Sequence, residues 1–247
     1  MRPIEYVGAA PMKKKRRSSL GGLLLVAFAL TVGGFFVYPL IPYLRAQDGL
    51  TSNENVLKAM NSLRSNGDSG SLLAVAALKR TQFDVNYDGS YYKIDFPNGD
   101  VRSDRGQAED VIVRAYRDLN VDLQLELHED ISANFRSYPQ VFGQKEADTN
   151  IDHRRVKNLQ RFFSRNGESL PVTDQEADYE FGDIVVWRLL GGSKHIGIVV
   201  PGPGDLSEER WVVHHMRSGP VWEKGLFDYP IDGRYRYDGP AKSEESE

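Results

Sequence analysis

From Leu20 to Leu44 the chain runs LGGLLLVAFALTVGGFFVYPLIPYL without one charged side chain. As a helix rising about 1.5 Å per residue, such a run is long enough to cross a bilayer core of roughly 30 Å. The basic block KKKRR, Lys13 to Arg17, stands just before it. Basic residues stay on the side where the chain is made. The expectation is therefore a basic cytoplasmic tail over 1–19, a single-pass anchor over 20–44, and everything beyond delivered outside. A secretory signal peptide begins with the same order, but its apolar region is about 7–15 residues, and Leu44 sits where a small residue is preferred before a cut near Ala46. An uncleaved anchor is the reading adopted.

Charge follows the same division. The chain carries 31 Lys and Arg against 35 Asp and Glu, yet six basic residues face only Glu5 before residue 20. The remainder is distinctly acidic, which argues against a nucleic-acid surface. Cysteine is absent from the sequence, so neither a disulfide framework nor a thiolate metal site is available outside the cytoplasm.

Residues 45–70 are polar and read as a tether holding one short helix, VLKAMNSL. Helix formers in SLLAVAALKR (71–80) mark the first helix of a folded domain. YDGSYYKIDFPNGD reads as short strands or an ordered loop. In GQAEDVIVRAYRDL (106–119), Ala108, Ile112, Ala115 and Leu119 fall on one helical face, as do Val156, Leu159 and Phe163 in a helix from about Arg155 to Asn166. After Pro171 come the β-type runs DIVVWRL, HIGIVV, RWVVHHM and RYRY, separated by glycine-rich turns that suit an antiparallel meander. Helices first and sheet second make an α+β domain over 71–238, followed by a polar tail over 239–247 expected to be disordered.

Three features would have to converge for chemistry: the start of the 106–119 helix, the strand opening with His195, and the strand carrying His214 and His215. A thiol at a helix N-terminus has a lowered pKa and nearby N–H donors for an oxyanion, and Ala108 occupies that place without one. His195, Gly197 and Val199 share one strand face, and only one of the adjacent pair His214 and His215 can orient His195. Taken singly, Ala108 is an ordinary core alanine, the strand histidines can be bonded to backbone, and His128 and His153 read as capping or loop residues. No HxH or HExxH spacing supports a metal site, and no cofactor is expected.

Long strings across about 71–237 carry a resemblance: YDGSYYKIDFPNGDV, GQAEDVIVRAYRDLNVDL, HEDISANFRSYP, NIDHRRVKNLQRFF, GDIVVW, HIGIVV and VVHHM. The stretch resembles the bacterial DUF1287 family, itself similar to the NlpC/p60-like, papain-type cysteine peptidases and amidases. The resemblance implies a papain-like domain with a cysteine nucleophile opening the helix, a histidine base at the HIGIV strand and an orienting residue in the VVH strand. On this chain those positions are Ala108, His195 and His214. The Gly-x-Cys-Thr-Asp pattern reads Gly106-Gln107-Ala108-Glu109-Asp110, so the sulfur and the following hydroxyl are both missing. A single engineered change would not account for Glu109, and the pair favours natural loss. Substrate contacts are expected from Tyr87, Asp110, Arg114, Asp152, His153 and Arg154. The resemblance implies a periplasmic protein of the bacterial inner membrane directed at peptidoglycan or its stem peptides. It acts as a hydrolase that is nearly inert without its nucleophile, or alternatively as a pseudoenzyme that binds the cell wall or an envelope partner.

Overall fold

The computed structural model describes residues 27, 28, 30–34, 53–140, 143–203, 209–216 and 219–240. The chain divides into two units, residues 1–41 and 42–247. In the first, residues 27, 28 and 30–34 are helical. Among the described residues no helix is long and apolar enough to cross a membrane. The rest of the expected span at 20–44, the basic tail at 1–19 and residues 241–247 lie outside the described residues.

The second unit begins with two consecutive helices, α1 (Asn53–Asn66) and α2 (Ser69–Arg80). Val56, Ala59, Met60 and Leu63 form one stripe of α1 and are buried in the main core. The short helix expected within residues 45–70 is thus a 14-residue one, and its spaced apolar residues are sufficient to dock it against α2. Asp68 caps α2, its carboxylate accepting from the Ser71 amide at 2.8 Å. Replacing Leu63, fully buried, by Ala should cost about 2–4 kcal/mol in urea unfolding, whereas exposed Leu57→Ala should cost almost nothing. Equal, negligible effects would show that α1 does not belong to the cooperative unit.

Short parallel strands β1 (Asn86–Tyr87) and β2 (Arg105–Gly106) lead into α3 (Ala108–Arg117). Helices α4 (Leu123–Asn134) and α5 (Val156–Asn166) follow, with a short 3-10 turn at Asp152–Arg154 before α5. His128, expected in a cap or loop, lies inside α4. Six strands then form one antiparallel sheet: β3 (Glu168–Leu170), β4 (Ile184–Arg188), β5 (Lys194–Pro201), β6 (Arg210–Met216), β7 (Gly219–Glu223) and β8 (Ile231–Arg236), in the order β3-β8-β4-β5-β6-β7. The α+β class therefore holds. The meander holds for β4 to β7. Its last strand does not continue beyond β7 but returns to pair with β4, where Arg234 reaches the fully buried Asp183 at 2.7–2.8 Å.

Strand alternation gives the sheet two buried faces. Ile184, Val186, Ile196, Ile198, Val200 and Val213 join the helices in the main core. Val185, Trp187, Val199 and Val212 pack under Tyr179 and Leu226 in a second, smaller one. Both faces carry sites, and they differ.

Candidate functional site

On the smaller-core face, Trp187 lies opposite His195 in the β4–β5 ladder and stacks on its ring at 5.7 Å between centroids. His195 Nε2 lies 2.9 Å from His214 Nδ1, and His214 Nε2 lies 2.7 Å from Glu223 Oε1. A carboxylate oxygen accepts, so His214 donates from Nε2, and its Nδ1 in the neutral ring accepts in turn from His195 Nε2–H. The chain of bonds thereby leaves the lone pair of His195 on Nδ1. All three side chains are buried. Burial first, and the neighbouring His214 and His215 next, hold the His195 pKa well below the ordinary imidazole value, so it stands as a neutral base. Such an arrangement can serve chemically as a base oriented by a two-step relay.

Glu223 was not among the expected site residues. The hairpin register sets Val212 against Glu223 and His214 against Val221, leaving the carboxylate one diagonal step from the imidazole.

Ala108 is the first residue of α3 and therefore sits where dipole and free N–H groups would activate a nucleophile. Its methyl is 3% exposed and belongs to the main core. It packs among the apolar side chains of that core. β5 sends Ile196, Ile198 and Val200 into that same core and His195 out on the Trp187 side. The histidine turned toward α3 is His215, on the main-core face beside Val213, with Asp110 and Arg114 as its charged neighbours.

The start of α3 is anchored to the 3-10 turn and to α5. Asp110 accepts from the Gln107 amide at 2.8 Å and pairs with Arg154 through two bonds of 2.8 and 3.0 Å. Arg154 also donates to the carbonyls of Ser90 and Asp88, and the Gln107 side chain donates to the Arg154 carbonyl. Glu109 turns inward and accepts from the Val156 amide at 3.1 Å. Burial, reinforced by Asp110, pushes its pKa up to about 7.

The expected substrate contacts divide accordingly. Tyr87 is exposed and sets its ring edge-on to His215 at 5.8 Å. Arg114 binds Asp100 and lines a cavity beside His215. Asp110, Asp152, His153 and Arg154 are corrected from substrate contacts to internal supports. All four are buried, and Asp152 is saturated by Gln144, the Asp148 amide and Asn158. Burial, with Arg154 adding, lowers the His153 pKa to about 4. Among the described residues no group of three His, Cys, Asp or Glu is placed to hold a metal ion.

Residues 74–237 match the family described as Domain of unknown function (DUF1287). The chain belongs to the DUF1287 family. It is similar to "Uncharacterized protein YijF" of Escherichia coli (strain K12), with 42% identity over 167 residues, covering 67% of this chain and 81% of that protein. The DUF1287 region contains the whole relay, the anchored start of α3 and all six strands of the sheet. α1 lies outside it and still packs on the same core.

Proposed function

We propose that this protein is a non-hydrolysing relative of the NlpC/p60-like cysteine peptidases, held in the bacterial envelope by residues 20–44, which binds peptidoglycan stem peptides without cutting them. One observation carries this reading. A neutral, oriented histidine remains in His195–His214–Glu223, while Ala108, where the resemblance places the nucleophile, is a buried methyl in the core on the other face of the sheet. Loss of the attacking atom from such a set removes most of the rate, leaving on the order of a thousandfold over water. Glu109, drawn into a bond with the Val156 amide, adds a second departure that a single thiol would not reverse. The resemblance to cell-wall hydrolases and the basic-then-apolar N-terminus support the substrate class and the periplasmic location.

The test is to incubate purified peptidoglycan fragments with the wild-type protein and with Ala108→Cys. The proposal expects saturable binding by both and no new cleavage product by mass spectrometry from either. Cleavage by Ala108→Cys at rates typical of a hydrolase would show a latent enzyme lacking only its sulfur. Absence of binding by the wild type would end the stem-peptide assignment.

A further inference from the structure

The main-core face has a second feature that the relay does not use. A cavity of about 160 Å³ opens between α2, α3 and the β6–β7 hairpin, lined by Arg80, Phe83, Val111, Arg114, Arg117 and His215. Its charge is unbalanced. Three arginines, Arg80, Arg114 and Arg117, line it against two carboxylates, Asp118 paired with Arg80 and Asp100 paired with Arg114 and Arg117. Its hydrogen bonding is incomplete as well. His215 is 1% exposed, and neither ring nitrogen has a partner. The buried Nε atoms of Arg80 and Arg117 also lack one. Unsatisfied buried polar atoms in a native fold are costly and call for a reason. Here three side chains with such atoms border a single cavity.

We infer that this cavity is a binding site for a small organic carboxylate, its two oxygens taken by the N–H groups of Arg80, Arg117 and His215 and its short apolar body by Phe83 and Val111. Guanidinium groups suit a carboxylate because their planar N–H pairs match its two oxygens. The volume sets the size: a cavity of about 150 Å³ accommodates benzene, so the ligand inside has on the order of six heavy atoms. Such a group is either a free short-chain acid or the C-terminal residue of a peptide. Burial lowers the Arg80 pKa, Asp118 and Asp100 oppose that shift, and Arg114 and Arg117 add to it. The cavity's lining does not include His195, His214 or Glu223, so this site stands or falls apart from the peptidase-like reading.

Calorimetric titration of the full-length protein with propionate, N-acetylalanine, N-acetylalanine methylamide and inorganic phosphate tests it. Binding of a carboxylate, with the uncharged methylamide at least about tenfold weaker, is expected. N-acetylalanine favoured over propionate assigns a peptide terminus, and the reverse assigns a free acid; both support the site. His215→Phe and Arg80→Met should each weaken carboxylate binding by about tenfold or more. Methylamide binding as well as the acid, phosphate binding as tightly, or neither variant changing affinity would overturn the proposal. If a variant fails to fold, carboxylate-induced shifts of the His215 ring and Val111 methyl resonances in the wild type decide, and their absence overturns it.

Discussion

Arg154→Leu should destabilise the domain by about 3–5 kcal/mol in urea unfolding at neutral pH. The guanidinium is fully buried and its partner Asp110 nearly so, and the two share a paired contact with nitrogen–oxygen distances of 2.8 and 3.0 Å. Removing the cation strands a carboxylate in the interior and leaves the Asp88 and Ser90 carbonyls without their donor. Set against total stabilities of about 5–15 kcal/mol, that is a large share. The double variant Arg154→Leu with Asp110→Asn should lose less than Arg154→Leu alone, because the stranded charge is gone. A cost below about 1 kcal/mol for Arg154→Leu would show that the start of α3 is held by something else.

Glu109→Gln should stabilise the protein at pH 8 and change little at pH 4. Burial raises the folded-state pKa from the ordinary 4.5 to about 7, so between those values the native state holds a proton that the unfolded chain has released. Stability from this group is complete below about pH 4.5 and falls away as pH rises through 7. The difference is on the order of 2–3 kcal/mol. Glutamine keeps an oxygen for the Val156 amide and carries no charge to bury. Urea midpoints measured from pH 4 to 8 should slope downward for the wild type over this window and be flatter for the variant. Parallel curves would place the Glu109 pKa near its usual value.

The elements with strong periodicity were legible. The 3.6-residue stripe of Val156, Leu159 and Phe163 specified α5, and the β-branched runs marked β4 to β6. α1 was harder to read because TSNEN and SNGDSGS flank it with loop-like composition, while Val56, Ala59, Met60 and Leu63 supply only a thin stripe. α4 was missed because HEDI offers no clear apolar face; its helix buries only Leu123, Gln124, Leu127 and Ile131.

At the site, the strand pattern left His214 and His215 open as partners of His195 and the resemblance named His214, but the third member, Glu223, depended on the register of a hairpin that no local pattern fixes. The face that each histidine adopts depended on which side of the sheet the helices cover. That is a tertiary fact, and it separates His215 from His214 although they are neighbours in sequence.

β8 lies between β3 and β4, and Asp183 holds both Arg234 and Arg236. A later strand therefore fills the gap between two earlier ones, so the sheet has no complete form until residue 236 is available. Long-range pairing of this kind delays closure until that strand has been made. Until then β3 has no strand to pair with, and the buried acid of Asp183 has neither of these two arginines.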